Sequence, residues 1–156
     1  MSLPIENART LVSSRSSIQL ASVDESGNPL ASYAPYLLDS GHIYIYISSL
    51  ARHAGNIHAT PQVSLMFIQD ENQTRNIFAR QRLELSCVRE VVAPDDDSHE
   101  RTLDMLQEKH GETVALLRSL PDFTLFRLAP RAGNYVEGFG RAWELGEAEL
   151  GLVFGG

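Results

Sequence analysis

A chain of 156 residues with 43% hydrophobic and 21% charged side chains carries enough apolar material for a core of ordinary globular size. Its net charge of −7 argues against nucleic acid as a partner, because that binding draws on cations that neutralise phosphates. No apolar run approaches the roughly 18 residues of a membrane span, no basic stretch followed by an apolar core marks a signal peptide, and the lone cysteine, Cys87, leaves no intramolecular disulfide or cysteine-based metal cluster, so a cytoplasmic location is expected.

Taken in chain order, residues 3–14 predict an amphipathic helix. Ser2 is placed to cap it, Pro4 suits its first turn, and Ile5, Ala8, Leu11 and Val12 share one face. A strand over 17–24 follows, then the turn-forming DESGNP of 24–29 and a second strand over 30–38 in which Pro35 marks an edge or a bulge. DSGH (39–42) predicts another turn. The strand at 43–48 is apolar on both faces and is expected to be buried. A short helix over 50–59 stops at Pro61, QVSLMFIQ (62–69) reads as a strand, and DENQT (70–74) as a polar loop. A long strand over 76–92 has Leu83, Leu85, Cys87 and Val91 on its apolar face and Arg80, Arg82, Glu84, Ser86 and Glu90 among the residues of the other. PDDDS (94–98) opens a helix whose aspartates suit the macrodipole. Leu103, Leu106, His110, Val114 and Leu117 follow helical spacing, with Gly111 placed to divide the run. Strands near 122–129 and 134–144 close the pattern. Six to seven strands, mostly hairpin-connected, predict a mainly β fold: one domain over 1–156, an antiparallel barrel with peripheral helices, a core over about 5–145 and a tail over 146–156.

The stretch YIYISSLARHAGNIHA (44–59) raises the functional question. A buried strand that ends in Ser48-Ser49 and feeds a helix makes an anion site, because the first-turn N–H groups point outward and the dipole favours negative charge. The serines are placed to cap the turn, Arg52 to close over a phosphate and His53 to donate one N–H, with plain N-capping beside a solvated Arg and His as the alternative. Twelve of the thirteen basic residues are arginine, the exception being Lys109, and Arg52, Arg75, Arg80 and Arg82 cluster together. In a barrel, Arg80-Gln81-Arg82 can reach the same mouth as residues 48–53. Phosphate donors beside Arg and Gln suit a flat, phosphate-bearing heteroaromatic, while pairing of the arginines with Glu84 or Glu90 is the structural alternative.

The segments SLARHAGNI, ARQRL and GFGRAW, in this order over residues 5–145, resemble the FMN-binding split barrels related to pyridoxamine 5′-phosphate oxidase, and within them the haem-utilisation branch. The resemblance implies a homodimer with the cofactor at the subunit interface and a small-molecule ligand; the net charge and the lack of a long apolar run lead to the expectation of no nucleic-acid or membrane partner. It implies FMN-phosphate contacts from Ser48, Ser49, Arg52 and His53, and backbone contacts to the flavin ring around Ser32, Tyr33, Ala34 and Tyr36. Gln81 and Arg82 would face the flavin or, in the haem branch, the haem. His53 stands where the B6 oxidases usually carry lysine, and histidine is typical of the haem branch. That branch holds haem through a histidine in a C-terminal tail, supported by an arginine and an aspartate that match Arg82 and Asp122. The segment GEAELGLVFGG contains no histidine, so His42, His53 or His58 would have to substitute.

The remaining motifs are weak. Gly138 and Gly140 lack the third glycine of a dinucleotide fingerprint and mark a bulge or a close backbone approach. No HExxH or GxSxG is present, so neither a protein-only metal site nor a hydrolase is expected. Cys87 reads as an inert buried thiol, and Trp143 as a ring-stacking or dimer-interface residue. The leading expectation is an FMN-dependent oxidoreductase linked to haem or iron utilisation, with no acid or base catalyst singled out. A haem-binding or haem-degrading protein and a non-catalytic flavin-binding dimeric module are the alternatives.

Overall fold

The computed structural model describes residues 2–155. Helix α1 (Leu3–Ser14) buries Ile5, Ala8, Leu11 and Val12, the face read from their spacing. Ser2 holds the N-cap position, but its side chain makes no capping bond. Strands β1 (Ser17–Val23) and β2 (Pro29–Pro35) form a hairpin around Asp24, whose Oδ1 accepts from the N–H groups of Ser26 and Asn28, both at 2.9 Å. The strand expected over 30–38 is cut at Tyr36. This residue is buried; its hydroxyl bonds the Val12 carbonyl and its N–H the Ser16 carbonyl, which leaves β3 (Leu37–Asp39) as a separate short strand. A tight turn with positive φ at Ser40 and Gly41 leads into β4 (His42–Ser48). Ile43, Ile45 and Ile47 of β4 face the main core and Tyr44 a second one, so both faces are covered as expected.

Helix α2 (Arg52–Ala59) and β5 (Gln62–Ile68) follow, and then β6 (Arg82–Val92). The long strand starts six residues later than its pattern predicts, because Asn76 Oδ1 accepts from the Phe78 N–H and turns 77–79 into a 3₁₀ helix. Leu83, Leu85 and Cys87 are buried in the main core, Val91 further along that face is exposed, and Val92 on the opposite face is buried in a second core. Beside Cys87 the partner strand bulges: Ser86 pairs with Ala132 and Cys87 with Pro130, leaving Arg131 as an extra residue on that strand.

Helix α3 (Asp97–His110) is capped by Asp96 and ends at Gly111, whose φ of +87° separates it from α4 (Glu112–Arg118). The strands expected at 122–129 and 134–144 are instead one bent strand, β7 (Phe123–Gly138), and a short return, β8 (Arg141–Leu145), with the GFG glycines at a register shift and a hairpin turn. The segment read as a tail forms α5 (Glu147–Phe154), which buries Leu150, Val153 and Phe154 and lies beside α1.

All strand pairs are antiparallel, in the order β2-β1-β5-β6-β7-β4-β3, with β8 beside β7. The first half of β7 pairs with β4 and the second half with β8, while β6 runs along both. This bend rolls the sheet into a split barrel that brings β2 close to β4. The main core fills the barrel and its contacts with α1, α2 and α5. A smaller core of Leu37, Tyr44, Val92, Leu103, Leu106, Val114 and Leu125 seats α3 and α4 on the outside.

Candidate functional site

The end of β4 is tied to the start of β7 rather than to the helix that follows it. Ser48 Oγ donates to Asp122 Oδ2 at 2.6 Å and accepts from the Leu50 N–H at 3.2 Å, while the Ser49 N–H donates to the Asp122 carbonyl at 2.6 Å. The N-cap of α2 is Ala51, whose methyl cannot accept, so neither serine caps the helix as their position predicts. Arg52 opens the helix from an exposed position and forms no ion pair among the described residues. His53 turns inward: its Nδ1 lies 3.0 Å from Ser32 Oγ on β2. Burial lowers its pKa, which favours the neutral imidazole.

Beside this turn lies a cleft of about 480 Å³. Tyr33, Ala34 and Pro35 of β2 form one wall, and Tyr46, Ile47 and Ser48 of β4 a second; Leu106, His110, Val114 and Leu117 of α3 and α4 form the third, with His53 and Phe123 at the ends. The surface is mainly apolar, and the Tyr46 and Phe123 rings stand 5.2 Å apart within it. His110 Nε2 donates to the Tyr36 carbonyl at 2.8 Å, a bond that fixes the orientation of its ring. Lys109 Nζ sits 3.8 Å above the Tyr36 ring, and burial lowers its pKa.

The residues read from the sequence therefore divide. Ser32, Tyr33, Ala34, Ser48, His53 and Asp122 gather at or beside the cleft. Tyr36 is committed to the core and reaches the site only through its carbonyl. Ser49 and Arg52 are exposed at the turn and do not line the cleft. Gln81 and Arg82 lie elsewhere. Gln81 Nε2 donates to the Tyr135 hydroxyl at 2.6 Å; Arg82 Nη1 donates to the Arg80 carbonyl at 3.0 Å, with Glu84 Oε1 3.9 Å from its Nε. Ser48 pairs with Phe123 and Arg82 with Val136, so thirteen residues of β7 separate them. That is about 40 Å of strand contour at the usual rise. Within one chain the barrel does not bring Arg82 to the mouth that holds Ser48, nor to Asp122. The sequence reading also left out Tyr46, His110, Leu117 and Phe123 as site residues. The available signal was a histidine inside the apolar stripe of α3.

An eight-stranded antiparallel split barrel with a cleft between its strand–helix turn and two outer helices has the build of the pyridoxamine 5′-phosphate oxidase-like proteins. The profile of the pyridoxamine 5′-phosphate oxidase family matches residues 5–137, and the chain belongs to that family, within its haem-utilisation branch. Heme oxygenase HutZ of Vibrio cholerae is 40% identical to it over 136 residues, which cover 87% of this chain and 77% of HutZ. The crystal structure of Vibrio cholerae HutZ, there called the heme storage protein, matches with a TM-score of 0.78 and 36% identity over 86% of this chain and 93% of that one. Campylobacter jejuni ChuZ matches with a TM-score of 0.84 and 26% identity over 92% of this chain and 59% of ChuZ. No helix among the described residues is long and apolar enough to cross a membrane.

Proposed function

We propose that the chain binds haem, with the cleft beside His53 receiving the porphyrin. One observation carries this reading: the cleft is lined by apolar side chains and two imidazoles, and the serine turn next to it is already occupied by a carboxylate. A porphyrin needs apolar surface for its faces, and a neutral imidazole is one of the ligands its iron takes. Burial favours the neutral form of His53, and Ser32 orients its ring. A flavin phosphate needs free donors, yet the Ser48 hydroxyl and the Ser49 N–H are spent on Asp122, whose charge would repel it. The names of HutZ as a heme oxygenase and as a heme storage protein support the same choice. Bound haem would supply iron redox chemistry. The work of this chain's residues is to enclose the ring, present an imidazole and place the Asp122 carboxylate at the rim, and a haem-degrading activity is the finer form of the reading.

A homodimer belongs to this proposal. Gln81 and Arg82 can join Ser48, His53 and Asp122 only if a second copy supplies them, because β7 holds the two groups apart within one chain. A cytoplasmic location goes with the buried, unpaired thiol of Cys87.

The test is a hemin titration of the purified full chain. A saturable Soret band at one hemin per chain is expected, with its position or intensity changed in H53A or H110A. A band that never saturates, together with a thermal shift on adding FMN, would sink the haem reading.

FMN binding is the second reading, and one feature favours it: Arg52 stands at the open first turn of α2 with no carboxylate partner among the described residues. A yellow protein reduced by NAD(P)H would support an FMN-dependent oxidoreductase. Bound flavin that no reductant reaches would support a non-catalytic flavin-binding module.

A further inference from the structure

The haem reading leaves part of the arginine cluster unexplained. Arg80 and Arg15 line a second cavity of about 290 Å³, at the start of β1 and the end of β5 and apart from the cleft. Ser14, Ser16, Ser17, Gln19 and Asp70 line it as well. Arg15 is held in place: Nη1 lies 2.9 Å from Asp70 Oδ1, and only 17% of its side chain is exposed. Its Nε is buried and has no hydrogen-bond partner among the described residues. Arg80 uses Nε on the Gln69 carbonyl, and no carboxylate among the described residues lies within ion-pair distance of it.

Two guanidiniums facing one cavity repel each other. Asp70 offsets one of the two charges, so the cavity keeps one uncompensated cation and one buried orphan donor. An oxyanion between the arginines answers both. The lining carries several kinds of donor: the terminal nitrogens of Arg80, serine hydroxyls and the amide of Gln19. That arrangement suits a tetrahedral oxyanion better than a flat carboxylate. The volume is about that of ten waters in the liquid, which leaves room for a small substituent beyond the anion itself.

We propose that Arg15 and Arg80 form a phosphate site, for inorganic phosphate or a small phosphate monoester, independent of the haem cleft. Calorimetric titration of the full chain at constant ionic strength tests it, with inorganic phosphate and ribose 5-phosphate as probes and acetate as control. Saturable binding at one per chain is expected, weakened about tenfold or more in R80Q, the worth of a lost charged hydrogen bond, and unchanged in R52Q. Tighter binding of ribose 5-phosphate than of phosphate would assign the monoester, and the reverse would assign the free anion. The variant S17A/Q19A, which keeps both arginines, is expected to weaken phosphate binding as well and serves if R80Q does not fold. The hemin titration is expected to be the same in R80Q as in the wild type. No phosphate binding, acetate binding as tight as phosphate, or loss in R52Q with retention in R80Q would each overturn the site.

Discussion

Ser48 Oγ donates to Asp122 Oδ2 across 2.6 Å, joining the end of β4 to a residue 74 positions later. Through this bond a turn that reads in sequence as a phosphate cradle carries a carboxylate instead. Two like charges about 4 Å apart cost about 1 kcal/mol even in a water-like medium, and more where water is partly excluded. The variant D122N keeps an acceptor for Ser48 and removes the charge. It is expected to tighten FMN binding about fivefold or more, measured by quenching of flavin fluorescence. Unchanged affinity would mean that the carboxylate is not what disfavours the phosphate.

The imidazole of His53 gives a pH dependence of defined sign. Burial holds its pKa in the folded protein below the ordinary imidazole value of about 6.5 that the unfolded chain has. As pH falls below that value the unfolded chain takes up a proton first, so stability declines, and it levels off beneath the folded pKa. Urea midpoints across this range are expected to fall in the wild type and to fall less in H53Q. Parallel curves would remove His53 as the source.

Glu137 binds three elements together. Its Oε2 accepts from Asn7 Nδ2 on α1 at 3.0 Å and from the Tyr135 hydroxyl at 2.9 Å, and its Oε1 from Arg141 Nη2 on β8 at 2.6 Å. Burial pushes the carboxyl pKa up, but the bonds from Arg141, Asn7 and Tyr135 outweigh it and hold the value below normal. This contribution is complete above the ordinary carboxylate range and is lost as pH falls through the folded pKa. E137A is expected to cost about 1–3 kcal/mol at neutral pH, read from chemical denaturation, with a smaller loss in acid.

Gly133 lets β6 and α5 close on β7. A Cβ there would stand 2.9 Å from Leu85 Cδ2 and 3.0 Å from the Glu84 carbonyl oxygen, with Leu150 Cδ2 at 3.4 Å. The carbonyl belongs to a paired strand and cannot step aside. G133A is expected to destabilise by about 1–3 kcal/mol, and a thermal midpoint equal to the wild type would show that the sheet adjusts without strain.

Burial pushes the Cys87 thiol up to about 12. Its thiolate is therefore scarce at neutral pH, and its side chain faces the barrel core. Ellman's reagent is expected to leave the native protein unmodified and to label one thiol per chain in denaturant. Fast labelling without denaturant would place Cys87 on an accessible surface.

Much of the fold was legible because it is local. The apolar face of α1, the Asp24 turn, the two-faced burial of β4 and the break at Gly111 each follow from residues within one or two turns of each other. Three features were not. The bulge at Arg131 depends on how β6 and β7 pair, and Val92 is buried only because α3 and α4 cover the outer face of β6. Helix α5 has no clear polar and apolar stripes in its sequence, so its docking on α1 was hidden. His110 reads as one more position of an apolar stripe until Tyr36 is set beside it.

The order of residues alone determined most of the strands and helices, the family and the segment where function gathers, because periodicity, turn chemistry and short motifs are properties of neighbours along the chain. Tertiary structure decided what that segment can do. It placed Asp122 against Ser48, turned His53 toward Ser32, and used the length of β7 to hold Gln81 and Arg82 far from both. The physical reason is that charge and hydrogen-bond capacity at a site depend on partners that arrive through strand pairing, and strand register is set by packing of the whole sheet.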